Sequence, residues 1–576
     1  MTRKQIKIYD CTLREGAQAS GISFSLQDKL RITQLADDMG FAYIEGGWPS
    51  SNVKDALYFE RLSTTKLRHT KVVAFGRTKL TTVRAEDDAS LLALVRTGLE
   101  CGHIFGKGWD LHVRTVLRIT PEENLAAIYD SIRFLKKHLG EVSFGFEHFS
   151  DAYKSDPVSA LKVITTAVEA GVDWIDLADT NGGSFPEEVG AAVATVTRQF
   201  PIAFAVHCHN DTGCAIANTI AAVQNGAAIV EGTINGYSER CGIADLCTVI
   251  PNLQLKLGYQ CIPDESLKNL TRLSGEVADL LQADVLKFHP YVGLFAFTHK
   301  AGVHVDAFLK HPRTYEHIDP NLVGNSSNVA LSEVSGKSNL RYFLRKHQLE
   351  HHFTELELQG LVSLVKTLEL SGFEFNTAEE SLLLLLLKRC GKFTPRIRIG
   401  RQTVTVTAEP GGASELDDEV ADPTSARDLA STSPLLETSS LEFDADIAFF
   451  TGQGVRSERL RFVLQGAEAC FAHLVSGVIE ACARVFPELT GTTLADYKIR
   501  TVHTSRHRKL AVRVVVELSD GIRTWRMTGI GKTLSSAAVS ATIDALQYRL
   551  HLDSLAAAPA ATAHGARVAS RAAESA

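Results

Sequence analysis

Eight short β-rich runs, separated by stretches of amphipathic helical periodicity, follow one another between residues 6 and 236. They occupy 6–10, 43–47, 71–76, 101–106, 142–147, 174–179, 203–209 and 229–234. Where a helix intervenes between each strand and the next, the chain has the length to cross over, so the strands run parallel. Eight such repeats predict a closed (β/α)8 TIM barrel, an α/β fold whose working residues collect at the C-terminal ends of the strands.

The barrel is assigned to 1–270, and 271–392 reads mostly as helices, a helical subdomain or linker. Residues 393–408 return to β-like alternation, and 444–551 hold two similar halves, each ending in a helix-like run, at 467–486 and 535–550. Together these predict a C-terminal α+β domain. The intervening 409–443 is Gly/Ser/Pro/Asp-rich and aperiodic, and 555–576 is Ala-rich, so both are expected to be disordered.

With 576 residues, 45% of them hydrophobic, the chain has apolar text for more than one core. A formal charge of -7 offers no cationic field for nucleic acid, which is not expected as a partner. Ten cysteines are too sparse for a disulfide scaffold and point to a reducing compartment. The polar first residues leave no room for a signal peptide, and the longest apolar run, 382–387, is far short of a bilayer span. A cytoplasmic protein without membrane contact is expected.

Two predicted strand ends carry chemistry. The first runs into Asp10-Cys11-Thr12-Leu13-Arg14-Glu15-Gly16-Ala17-Gln18, setting a cation and an acid on the rim. The seventh carries His207-Cys208-His209-Asn210-Asp211. Because side chains alternate along a strand, His207 and His209 face the same side, where both can ligate one metal. With the Glu15 carboxylate they make a two-histidine, one-carboxylate set that leaves positions open for substrate, and Mn, Mg, Zn or Co suits those donors. His351 and His352, in charged helical text, and the Cys101/His103 pair are read as structural.

The TLREGxQ start, the HxHND strand and Gly236-Tyr237-Ser238-Glu239-Arg240-Cys241-Gly242 resemble the DRE-TIM metallolyase family of isopropylmalate, homocitrate and citramalate synthases. Segments 43–55 (YIEGGWPSSNVKD), 105–113 (FGKGWDLHV), 147–154 (EHFSDAYK), 177–183 (LADTNGG) and 335–339 (SGKSN) resemble its citramalate synthase branch. The resemblance implies an acyltransferase that condenses acetyl-CoA with a 2-oxoacid, pyruvate in that branch, and hydrolyses the thioester. It implies a divalent cation, a homodimer, a regulatory-like C-terminal domain of the isopropylmalate synthase dimerisation type, and a place in isoleucine-type amino-acid biosynthesis. It further implies Arg14 on the developing alkoxide, Thr180 on the oxoacid carboxylate and Glu147 near the acetyl methyl. His304, in Ala301-Gly302-Val303-His304, is implied as an acid/base group reaching a neighbouring subunit's site.

Two positions depart from the isopropylmalate and citramalate synthase pattern: Glu15 stands for Asp, and Ile243 for an Asn that would be a fourth ligand. Homocitrate synthases share both features, which keeps condensation with another oxoacid open. Against that, an acid at Glu147 is expected to repel a second substrate carboxylate. Trp48, Phe75 and Trp109 lie in rim motifs and would narrow the pocket toward pyruvate. The stretch 444–471 lacks the Gly-rich helix entry of the regulatory pattern, so feedback by isoleucine or leucine is not expected. A lyase of the same superfamily and a barrel kept as a scaffold are the remaining readings; Cys241 is read as inert.

Overall fold

The computed structural model describes residues 3–62, 65–283, 287–331, 335–375, 378–408, 412–415, 440–451, 453–465, 467–504 and 509–557. Two compact units result, Met1–Thr298 with His317–Asn328, and His299–Glu316 with Val329–Ala576.

All eight predicted strands form in the first unit. They are β1 (Lys7–Asp10), β2 (Tyr43–Gly47), β3 (Lys71–Arg77), β4 (Cys101–Lys107), β5 (Glu141–Glu147), β6 (Trp174–Asp179), β7 (Ala203–Cys208) and β8 (Ile229–Gly232), closed into one barrel in chain order. Every neighbouring pair is parallel, and β1 closes on β8 in the register Lys7↔Ile229 through Asp10↔Gly232. Closure leaves no unpaired strand edge.

Alternation along the strands sorts the side chains into two cores. Ile8, Ile44, Ile104, Phe144, Phe204 and Val230 are buried against the surrounding helices. Tyr9, Tyr43, Val73, Cys101, Trp174 and Ile229 form a separate cluster that fills the lumen. Helices begin where the chain supplies caps, with reciprocal capping boxes at Ser25/Asp28 for Leu26–Met39 and at Thr120/Glu123 for Pro121–Leu135.

The loop after β8 turns back over the rim at Gly242, whose φ of 88° and closeness to Gly236, where a Cβ would stand 2.2 Å from the carbonyl oxygen, exclude a side chain. That turn lets Ile243 N–H donate to the Gly236 carbonyl at 3.1 Å and lets Ile243 bridge antiparallel to His209. Ser238 and Arg240 are thereby carried onto the mouth of the barrel.

The helical stretch read as 271–392 is shared between the units. Leu273, Val277, Tyr291 and Phe297 pack into the barrel core, whereas Leu340, Phe343, Leu358 and Leu382 pack with Ile447, Val475, Val514 and Leu546. Periodicity marks the helices; it does not say which core an apolar stripe will join.

In the second unit an antiparallel sheet of Gly412–Glu415, Ile397–Ala408, Ser440–Thr451 and Gly454–Gln465 is followed by the helix Ala467–Val485. A second sheet of Thr493–Thr504, Lys509–Ser519 and Thr524–Gly531 is followed by the helix Leu534–Ala557. Within the expected insertion 409–443, residues 412–415 and 440–443 are strand, because both pair with Ile397–Ala408. The remainder of 409–443, like 558–576 of the expected tail, lies outside the described residues, and 555–557 belong to the last helix. No helix of the described residues is long and apolar enough to cross a membrane.

One buried carboxylate ties the first helix to the entry of β3. Asp37 accepts the backbone N–H groups of Arg68, His69 and Thr70 at 2.7–3.0 Å. Burial opposes its charge, but those donors hold the carboxyl below the ordinary carboxylate range. The stabilisation is therefore complete above the unfolded value of about 4 and fades as the pH falls through the lower folded one. Asp37→Ala strands all three donors and is expected to cost about 2–4 kcal/mol at neutral pH. Urea unfolding followed by tryptophan fluorescence tests this, and an unmoved midpoint would contradict it.

Candidate active site

Closure through β8 brings the turn after β1 within reach of β7. Arg14 and Glu15 sit in a tight turn whose N–H groups donate to the Cys11 carbonyl at 3.2 and 2.8 Å. The Thr12 hydroxyl accepts Ile234 N–H at 2.9 Å, tying that turn to the end of β8. Glu15 Oε1 accepts from Ser238 Oγ at 2.5 Å and lies 3.9 Å from His209 Nε2. The Nε2 atoms of His207 and His209 face each other at 3.3 Å, and one ligand atom from each of Glu15, His207 and His209 falls within 4.8 Å of the others. Arg14, Glu15, His207 and His209 are thus gathered at one place.

The Arg14 guanidinium is held from three sides. It pairs with Glu15, donates through Nε to Glu45 Oε2 at 2.5 Å, and lies 4.0 Å over the Phe75 ring. Phe75 stacks on His103 and Phe105 at 5.5 and 5.4 Å, and Trp48 meets Phe75 and Phe105 edge-on. Trp109 is not part of this group. It packs instead at 5.3 and 5.4 Å from His112 and His148, because the chain leaves β4 two residues earlier and turns away. Phe105, at the start of the same 105–113 segment, takes its place.

Beneath the rim the lumen carries ionisable groups that sequence reading missed, Glu45, Asp176 and Glu231, beside His103, which was read as structural. Their signal was the period of two, since Glu45 and Glu231 follow the inward Tyr43 and Ile229 by two residues. Glu231 Oε2 stands 3.5 Å from His207 Nδ1, behind the imidazole. Burial alone would lower His207, but Glu231, with Asp176 and Glu15, pushes it up to about 9. Burial and the neighbouring His207 bring His209 down to about 3. Burial opposes the Glu15 charge, but Arg14, His207 and the Ser238 hydroxyl hold its carboxyl below the usual range. An anionic oxygen beside two facing nitrogens, one of them proton-bearing, is a donor set in which a divalent cation can replace that proton. A carboxylate behind one imidazole is the usual support for such a ligand.

Two further predicted residues lie on neighbouring strand ends. Glu147 closes β5 and is ion-paired with Lys107, its register partner on β4. Thr180 follows β6; its hydroxyl oxygen accepts His148 N–H at 2.8 Å, and its carbonyl accepts Arg240 Nη2 at 2.7 Å. His304 belongs to the second unit, on the helix Gly302–Lys310, where its exposed ring stacks on Tyr315 at 4.4 Å. Tyr315 was not singled out from the sequence. Ile243 is 3% exposed, packs with the lumen cluster and offers no donor. Cys241 is an exposed free thiol.

Residues 5–275 match the HMGL-like family, and 291–372 match the family described as homocitrate synthase post-HMGL domain-like. The chain is 38% identical over 559 residues to the (R)-citramalate synthase of Aquifex aeolicus (strain VF5), spanning 96% of this chain and 98% of that one. It is 38% identical over 557 residues to the (R)-citramalate synthase of Sulfolobus acidocaldarius, spanning 96% and 98%. The 2-isopropylmalate synthase of the same organism is 34% identical but reaches over 65% of this chain, although over 94% of its own length. The chain therefore belongs to the HMGL-like family and is similar over 96% of its length to citramalate synthases of that family.

Proposed function

We propose that the chain is a citramalate synthase, joining the methyl carbon of acetyl-CoA to the keto carbon of pyruvate and hydrolysing the thioester to citramalate and CoA. The full-length likeness to (R)-citramalate synthases carries this reading. The rim that gathers Arg14, Glu15, His207 and His209 gives it a chemical basis.

Glu15, His207 and His209 would hold a divalent cation (Mn, Mg, Zn or Co), which when bound supplies Lewis-acid polarisation of the oxoacid's keto group. Arg14 faces the oxygen on which negative charge collects; Glu45 and Phe75 already fix it, so no reorientation is needed as the charge develops. Thr180 donates its hydroxyl proton to the oxoacid carboxylate. Glu147 stands by the acetyl methyl, and His304, reaching the site of the neighbouring subunit with Tyr315 stacked on its ring, supplies an imidazole there for proton transfer. A side-chain base takes one methyl proton, the methyl carbon bonds to the keto carbon as the carbonyl π pair moves onto its oxygen, and that oxygen takes up a proton. Water then adds its hydroxyl to the acyl carbon as the carbon–sulfur bond breaks, and the departing thiolate takes the proton.

Selectivity for a small monocarboxylic oxoacid rests on more than Glu147. Lys107 offsets that charge, so Glu147 alone does not refuse a second carboxylate. The Trp48, Phe75 and Phe105 rings narrow the space, which favours the short methyl tail of pyruvate over a longer, charged one. The enzyme acts in the cytoplasm as a homodimer in isoleucine-type biosynthesis, its second unit carrying a regulatory-like domain. Homocitrate-type condensation is the second reading, favoured by the match of 291–372.

Thiol release from acetyl-CoA with Mn²⁺ or Mg²⁺ and each of pyruvate, 2-oxobutyrate, 2-oxoisovalerate, 2-oxoglutarate and oxaloacetate is expected to favour pyruvate by at least about tenfold. Preference for 2-oxoglutarate would replace the reading with homocitrate synthesis. His207→Ala and His209→Ala are expected to lose turnover and bound metal together, by elemental analysis, while circular dichroism stays native; retained metal would contradict the ligand set. Glu231→Gln is expected to weaken metal binding about 10–100-fold by removing the anion behind His207. An unchanged metal titration would show that Glu231 serves the barrel alone.

A further inference from the structure

A closed circuit joins the turns after β5 and β6. His148 N–H donates to Thr180 Oγ1 at 2.8 Å. The His148 ring meets Asp151 Oδ2 through Nδ1 at 3.0 Å, and the same oxygen accepts Asn181 Nδ2 at 3.0 Å. The Thr180–Asn181 peptide bond completes the loop. Two features set this apart from an ordinary helix start. His148 holds φ at 58°, a left-handed conformation that costs a non-glycine residue free energy. Its ring is also clamped from the β4 side by His112 at 4.3 Å and Trp109 at 5.4 Å.

We infer that His148 and Asp151 are positioning residues that make the Thr180 hydroxyl an obligate donor toward the oxoacid carboxylate, an inference resting on the reading proposed above. A hydroxyl has one proton and two lone pairs. The His148 N–H occupies an acceptor side of Thr180 Oγ1, which steers the proton away from the backbone; among the described residues no acceptor takes it. A carboxylate only accepts, so Nδ1 carries the proton shared with Asp151, and that bond locks the ring and hence the strained turn. Arg240, forked onto Asp211 at 2.8 and 3.0 Å, holds the Thr180 carbonyl from the other side. The hydroxyl is thereby fixed at both ends of its residue.

The test is a double-mutant cycle on steady-state kinetics of the full chain. Asp151→Ala is expected to raise the pyruvate KM roughly tenfold, to change kcat and the acetyl-CoA KM by less than about threefold, and to add nothing to Thr180→Val in the double variant. His148→Asn, which tolerates a positive φ and keeps a side-chain N–H for Asp151, is expected to hold the wild-type pyruvate KM; His148→Val, which does neither, is expected to lose it with Asp151→Ala. Losses that add fully in the cycle, or that fall equally on both substrates, overturn the inference while leaving the synthase reading intact. A wild-type chain inert toward all five oxoacids would overturn that reading and this inference with it.

Discussion

Closure of the barrel between β1 and β8 is the constraint on which the site depends. Arg14 and Glu15 follow the first strand, and His207 and His209 end the seventh; no local folding event can bring them together. The ladder from Lys7↔Ile229 to Asp10↔Gly232 does so, extended by Cys11 N–H to the Gly232 carbonyl at 2.9 Å and by Ile234 N–H to Thr12 Oγ1. Once the sheet is closed, the tilt of the strands sets which inward residues share a layer. A site built across such a closure is as rigid as the barrel, which suits groups that must meet developing charge without moving.

The same closure buries charge, and the lumen shows how that is tolerated. Glu45, Asp176 and Glu231 lie below the rim and Arg14 and His207 at it, all buried where an isolated ion would cost many kcal/mol. Burial, reinforced by Glu231, pushes Asp176 well above the usual carboxylate range, whereas His207 and His103 hold Glu231 low despite its burial. Burial lifts Glu45 to about 7 even with Arg14 beside it. Protons are thus shared out until each remaining charge has a partner. Arg14 serves two carboxylates at once, so its structural role and its proposed chemical role are not separable. Among the described residues His209 Nδ1 is a buried nitrogen without a hydrogen-bond partner.

Much of this was legible in the chain because periods are local. The eight strands appeared within a residue or two of their predicted ends, and the same-face placement of His207 and His209 followed from alternation alone. What stayed hidden depends on register and closure. Lys107 meets Glu147 because β4 pairs with β5 at Lys107↔Glu147, a fact written in neither segment. Glu45, Asp176 and Glu231 share inward positions with apolar residues of the same short runs, and nothing local says that a lumen will accept acids there. Trp109 carried the same motif context as Trp48, yet it lies beyond the end of β4 and faces His148. The helices after the barrel were readable as helices, but their division between two cores was set by partners far along the chain.

The two departures from the pattern of related synthases become one change when the geometry is considered. Ile243 bridges to His209 across the backbone and points its side chain into the cluster with Tyr9 and Cys11, so a position that would offer a donor closes the lumen instead. Losing that donor requires the remaining carboxylate to be well held. The longer Glu15 achieves this with both oxygens engaged, Oε1 by Ser238 and Oε2 by Arg14, while Oε1 still lies within 3.9 Å of His209. A dry wall on one side strengthens each electrostatic interaction on the other. A cation held by Glu15, His207 and His209 next to this apolar packing would keep its remaining positions open to other oxygen donors.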